Sequence, residues 1–151
     1  ITSNYNRINI GLKNIAIELL VMGTLNSWEY SKECFKTLDK HKSVVKSIGL
    51  TVNGSEILSL QDSIVTQYVM KYETHSTPLI DNGIHCIPFS LAPEIQSISG
   101  YLNMSQYDDI KLELKMRNDV SETNPANLYV YVRSINFLYI HDGIAELVFT
   151  N

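Results

Sequence analysis

The chain has 151 residues, 44% of them hydrophobic and 19% charged, with a formal net charge of −4. That is enough apolar material for one packed core, and too little charge for a disordered chain. No apolar run approaches the roughly 20 residues needed to cross a bilayer, and the acidic balance argues against nucleic acid as a direct partner.

The chain opens on Ile1 rather than Met, which reads as a piece of a longer protein. Its first residues lack the basic-then-apolar order of a secretory leader. Ile8, Ile10 and Leu12 alternate, and Ile15, Ile17, Leu19 and Val21 alternate in the opposite phase. Ile8, Leu12, Ile15, Leu19 and Met22 would also line a helix, but Asn9, Gly11 and Asn14 are poor helix interior residues. The phase flip near Lys13-Asn14 therefore predicts two strands, or one with a bulge.

Leu25 to Lys42 is polar with scattered aromatics (Trp28, Tyr30, Phe35), a long loop with room for a strand or a short helix. The basic residues Lys32, Lys36, Lys40, His41, Lys42 and Lys46 are interleaved with Glu33 and Asp39. They read as a solvated segment rather than a nucleic-acid patch.

Val45 to Val52 holds Ile48, Leu50 and Val52 in one phase and runs into Asn53-Gly54. That pair favours a type I′ hairpin turn, because both residues tolerate positive φ. Val65, Tyr68, Val69 and Tyr72 have helical spacing, and Ser59 to Asp62 has the form of a capping box ahead of them. Gly83 to Leu91 puts His85, Ile87, Phe89 and Leu91 on one face, while Pro88 suggests an edge strand or a bulge.

The clearest strand is Ile110 to Arg117. Ile110, Leu112, Leu114 and Met116 share one face, and Lys111, Glu113, Lys115 and Arg117 the other. Leu128 to Ile140 is rich in β-branched and aromatic residues, and Asp142-Gly143 turns the chain into Ile144 to Thr150, predicting a long closing hairpin. Seven clear strands, one uncertain strand and one short helix exclude a parallel α/β sheet. They suit an all-β, eight-stranded antiparallel jelly-roll sandwich with one or two short helices in loops, one domain over residues 1–151.

Jelly rolls include metal enzymes, whose catalytic sites need about three convergent ligands. The histidines His41, His75, His85 and His141 contain no His-x-His pair, and nothing local predicts a metal site. There is no Gly-x-Ser-x-Gly elbow and no Gly-rich phosphate loop. Cys86 adjoins His85, but neighbours on a strand point to opposite faces. Glu18, Glu113 and Glu146 lie in strand patterns and read as outward-facing carboxylates. Cys34 and Cys86 read as reduced thiols. The sequons at Asn53 and Asn103 read as turn and corner residues. The expectation is a non-enzyme without catalytic residues, metal or cofactor.

One stretch is more specific. Gly83 to Glu94 reads Gly-Ile-His-Cys-Ile-Pro-Phe-Ser-Leu-Ala-Pro-Glu, and Ser99 to Asp108 reads Ser-Gly-Tyr-Leu-Asn-Met-Ser-Gln-Tyr-Asp. This closely resembles the C-terminal domain of the major capsid proteins of nucleocytoplasmic large DNA viruses. There a strand ending Phe-x-Leu-x-Pro-Glu leads to Pro-Ser-Gly, two variable residues, Asn, an apolar residue, Ser and Asp. Tyr129-Val130-Tyr131, Asn136 to Ile140, Asp142 to Ala145 and Phe149 resemble the family's closing hairpin, and Arg7 to Ile10 through Glu18 to Val21 its opening strand pair. Ser97-Ile98 stands where the family has Gln-Pro, and Gln106 where it has a basic residue.

The resemblance implies a structural role. Two tandem jelly rolls per chain, of which this would be the C-terminal one, and three chains per capsomer would give pseudo-hexagonal blocks tiling an icosahedral shell. It implies a homotrimer, neighbouring capsomers and minor capsid proteins as partners, no direct nucleic acid and no membrane insertion. It places the chain in the virion, assembled in the cytoplasm of an infected cell. Pro93, Ser99, Gly100, Asn103, Ser105, Asp108, Asn136 and Gly143 are the implied structural motif. Ser99-Gly100 is expected to form a tight turn with positive φ at Gly, and Asn103 and Ser105 to bond backbone groups at a corner. Trp28, Tyr30 and Tyr101 are candidate assembly contacts. Three rival readings are a single jelly-roll minor or vertex capsid protein, a β-sandwich carbohydrate-binding module, which predicts an aromatic groove, and a cupin-like enzyme, which predicts bound metal.

Overall fold

Alternating side chains put one face of a strand in the core and the other outside, and this governs most of the architecture. The computed structural model describes residues 1–29, 36–39, 42–75, 82–95 and 97–148. Along the chain run β1 (Tyr5–Asn9), β2 (Ile15–Leu25), α1 (Asn26–Glu29), β3 (Leu38–Asp39), β4 (Lys42–Ser43), β5 (Val45–Val52) and β6 (Ser55–Asp62). A π-helical segment (Val65–Val69) continues into α2 (Met70–Thr74), followed by β7 (Ile84–Pro88), β8 (Leu102–Asn103) and a 3₁₀ turn (Met104–Gln106). The chain closes with β9 (Ile110–Met116), β10 (Ala126–Ile135), β11 (Leu138–His141) and β12 (Ile144–Leu147).

One sheet has the order β1-β9-β5-β6; the other is β10-β2-β7, with β8 also paired to β2. All these pairs are antiparallel, giving four strands in each of two sheets. This is the expected jelly-roll sandwich. Two-stranded ladders β3–β4 and β11–β12 stand apart.

The inner faces are those that alternation predicts. Leu112, Leu114 and Met116 of β9 and Ile48 and Leu50 of β5 are fully buried, and Ile110 and Val52 nearly so. Leu19 and Val21 of β2 and Ile87 of β7 meet them in the same core. Asn53 (φ 45°) and Gly54 (φ 80°) turn β5 into β6, and Asp142 (φ 48°) and Gly143 (φ 79°) turn β11 into β12, both pairs in the positive-φ form such two-residue turns require.

Four expectations need correction. The phase of β2 is broken not only before it but within it: Arg133 faces Glu18 and Ser134 faces Ala16, leaving Ile17 as an extra residue. The bulge sends Ala16 into the core and leaves Ile15 and Ile17 half-buried. The long closing hairpin does not form. Ala126–Ile135 pairs with β2 instead, and the hairpin is only four residues a side. Ser59 to Asp62 belongs to β6, so no capping box forms there; Asp62 Oδ1 accepts from the Ile64 amide instead. The helical segment also buries Thr66 and Gln67, while Val69 and Tyr72 are exposed. β7 is the edge strand that Pro88 suggests, but it ends there, and Leu91 lies beyond it, exposed.

Candidate functional site

The motif around residues 93–109 is a clamp on the start of β2. Asn103 Oδ1 accepts from the Ser105 amide at 3.2 Å and so caps the 3₁₀ turn. Ser105 Oγ donates to the Lys13 carbonyl at 3.0 Å, and the Met104 amide donates to the Asn14 carbonyl at 2.9 Å. Ser99 Oγ sits 2.7 Å from Ser90 Oγ and accepts from the Ala92 amide.

Gly100 corrects half of its expectation. Its φ of 158° is positive, as expected, but no tight turn forms at Ser99-Gly100. Glycine is required there because a Cβ would lie 2.5 Å from the Phe89 carbonyl oxygen. The clamp reaches the other sheet through Asn53, whose amide donates to the Asp109 carbonyl and whose Oδ1 accepts from the Asp109 amide. That tie escaped sequence reasoning, which used Asn53 only as a turn residue. Asp108 itself is exposed. Asn103→Ala is expected to lower stability by about 1 kcal/mol, the usual cost of losing a cap. Chemical denaturation measures it; an unchanged midpoint would remove the clamp reading.

Pro93 is buried, and its carbonyl accepts from Arg133 Nη1 at 3.3 Å. The same Arg133 nitrogen donates to Glu18 Oε1 at 3.1 Å. Glu18 is therefore not the outward-facing carboxylate of the sequence reading. It lies on the outer face of β2, but only 2% of it is exposed, covered from the α2 side by His75 and from β7 by Cys86. Its partners come from residues 75, 86 and 133, and no local pattern announces them. Glu113 does face outward, held by Arg7, Tyr5 and Thr51 across three strands. The Arg7 hydrogen bond keeps its carboxyl below the ordinary range.

His85 and Cys86 point to opposite faces, as strand geometry demands. His85 Nδ1 lies 2.7 Å from Thr66 Oγ1, while Nε2 lies 3.0 Å from Ser43 Oγ and 3.2 Å from Gln67 Nε2. The Gln67 side-chain nitrogen can only donate, so His85 Nε2 accepts and Nδ1 carries the proton. A Ser–His pair beside a cleft of about 800 Å³ invites comparison with a nucleophile and its base. But burial lowers the His85 pKa to about 4, and its second nitrogen meets a hydroxyl, not a carboxylate. The arrangement joins the π-helical segment to β4 and β7.

Part of what remains outside is apolar. Leu138, Tyr139 and Ile140 of β11 and Ile144 and Leu147 of β12 are each more than half exposed. A second group, Leu91, Ile95, Ile98 and Tyr101, lies between β7 and β8. Of the predicted contacts, Tyr101 is 59% exposed. Trp28 packs against its own core with Lys36 Nζ 4.8 Å from its ring centroid, and Tyr30 lies outside the described residues. Asn136 Oδ1 accepts from the Phe137 amide at the entry to the hairpin, and Gly143 sits in its turn.

Two four-stranded antiparallel sheets and a clamped corner define a jelly-roll sandwich. The chain belongs to the family of large eukaryotic DNA virus major capsid proteins, which it matches over residues 3–146. It is 33% identical to the major capsid protein of Chrysochromulina ericina virus, over 76% of this chain and 20% of that protein. Against the major capsid protein of Phaeocystis pouchetii virus it is 33% identical over 68% of this chain and 20% of that protein. The chain thus spans about a fifth of the curated relatives it matches. Among solved structures, the PBCV-1 virus capsid superposes with a TM-score of 0.77 at 17% identity, covering 99% of this chain and 47% of that one. The Faustovirus major capsid protein gives 0.69 at 10% identity, covering 89% and 32%. This family and these relatives are structural proteins of the virion, not enzymes.

Proposed function

We propose that this domain is the C-terminal jelly roll of a longer two-jelly-roll chain, that three such chains close a capsomer with a pseudo-hexagonal outline, and that capsomers tile an icosahedral shell. The observation that carries the reading is the β11–β12 hairpin. A two-stranded ribbon with apolar side chains outward on both strands is marginal in water by itself. Exposed apolar groups at this density mark a surface that another protein covers. A symmetric trimer supplies such a cover without a second gene product. Family membership and the half-length match to the PBCV-1 capsid chain support the same arrangement. Neighbouring capsomers and minor capsid proteins would then meet the remaining outer surface, and the particle would be assembled in the cytoplasm of the infected cell. Tyr101, with the apolar loop around it, is a second contact candidate.

Substituting Ile140→Lys and Ile144→Lys together in the full-length protein tests this. Both side chains are exposed in the isolated domain, 68% and 62%, so the fold should lose no more than about 0.5 kcal/mol. Sedimentation should nevertheless show monomers where the native protein gives trimers. Trimers of unchanged stability in the double variant would remove the hairpin from the interface.

A further inference from the structure

Glu18, His75 and Cys86 bring three different metal-ligating atoms together on the outer face of β2. Glu18 Oε2 is 3.1 Å from His75 Nε2 and 3.4 Å from Cys86 Sγ, and all three donors lie within 4.8 Å of one another. Glu18 and Cys86 are buried and His75 is mostly covered, with 3% of the Glu18 side chain and 10% of that of His75 exposed and Cys86 at 1%. A tetrahedral zinc ion bonds such atoms at roughly 2.0–2.3 Å, which sets donor–donor separations of about 3.3–3.7 Å. The two short edges of this triangle are already near that size.

The hydrogen bonds around the triad add an independent argument. Thr74 Oγ1 donates its only proton to the Met70 carbonyl at 2.7 Å, so towards His75 Nδ1, 2.9 Å away, it can only accept. Nδ1 therefore carries a hydrogen, and Nε2 of the neutral ring would aim a lone pair at a carboxylate oxygen. Two lone pairs at 3.1 Å repel unless a positive charge lies between them, and that charge is either a proton or a metal ion. The outer partners are those a metal centre uses: a hydroxyl fixes the imidazole tautomer, and Arg133 holds the other carboxylate oxygen.

We infer that Glu18, His75 and Cys86 form a binding site for one borderline-soft divalent cation, Zn²⁺ in particular. A thiolate, an imidazole nitrogen and a carboxylate oxygen are the donor set for that class of ion, and a hard ion such as Mg²⁺ would leave sulfur and nitrogen unused. Solvent completes the tetrahedron on the partly open His75 side. Binding exchanges two protons, the Cys86 thiol proton and the one between His75 and Glu18, for one divalent ion. The charge of the site is unchanged, and Arg133 remains paired. Without metal the thiol stays protonated, since burial first, then Glu18, pushes it up to about 12. The site joins β2, the end of α2 and β7, so the ion would pin the helical segment to the sheet.

Cobalt(II), as a spectroscopic stand-in, would be titrated into the metal-stripped full-length protein, with zinc then added in competition. The native protein should show a thiolate-to-cobalt absorption band saturating at one ion per chain, bleached by zinc, with zinc raising Tm. Cys86→Ala should abolish the band and the Tm gain, and His75→Gln, a milder change at a partly exposed position, should weaken binding roughly 100-fold. Thr74→Val removes only the outer partner and should cost roughly 10- to 100-fold. Equal cobalt binding by native protein and Cys86→Ala, or no thiolate band in the native protein, overturns the inference and leaves a proton-bridged His75–Glu18 pair.

Discussion

Acidification from pH 7 to pH 4 is expected to cost the fold about 3 kcal/mol through His85 alone. The imidazole is buried and hydrogen-bonded in its neutral form, and burial lowers its pKa from 6.5 to about 4, with Asp62 opposing weakly. Above pH 6.5 both folded and unfolded chains carry a neutral ring, and stability does not depend on it. Below 6.5 the unfolded chain takes up a proton that the folded chain refuses until about pH 4. Two and a half pKa units correspond to about 3 kcal/mol, lost progressively across that window. His85→Gln keeps a polar side chain but cannot titrate. Urea midpoints of native and variant protein at intervals from pH 7 to 4 would show a steeper decline for the native protein. Parallel declines would mean that His85 is not held neutral.

Leu114→Ala is expected to cost about 2–5 kcal/mol, and Lys115→Ala less than about 0.5. Leu114 is fully buried in the middle of β9, opposite Asn6 of β1 and Ile48 of β5, with the second sheet packed across it. Strands on both sides hold the backbone in place, so the cavity cannot collapse. Lys115, one residue on, points to the exposed face. The contrast between adjacent residues in denaturant unfolding reads the sheet's orientation directly, and equal costs would contradict it.

Much of this architecture is written in short-range pattern. The alternation of 110–116 and of Ile48, Leu50 and Val52 survives because each set lines the core, whereas a register shift between Val45 and Ser47 buries Val45 out of phase with them. Asn53-Gly54 and Asp142-Gly143 mark their turns because few other pairs accept positive φ twice in succession. Alternation does not say which strand a segment pairs with, so the pattern of Leu128 to Ile140 points to a hairpin with Ile144 to Thr150, whereas Ala126–Ile135 pairs with β2. Nor does apolar spacing find the buried face of the helical segment. Thr66 and Gln67 turn inward because His85 needs partners, and that requirement comes from residues 18 and 19 positions away. Glu18 is buried for the same kind of reason, its ion-pair partners lying at 75 and 133. The clamp at Asn103 and Ser105 was legible as a motif, whereas the role of Gly100 was not. Its constraint is the Phe89 carbonyl eleven residues earlier, and sequence shows the glycine without the obstacle.

The central claim is that this jelly roll is part of a trimeric shell block, and the mass of the full-length gene product in solution tests it most directly. Light scattering should give three times the chain mass, stable on dilution. A stable monomer would contradict the capsomer reading and favour a role for the jelly roll outside the shell lattice.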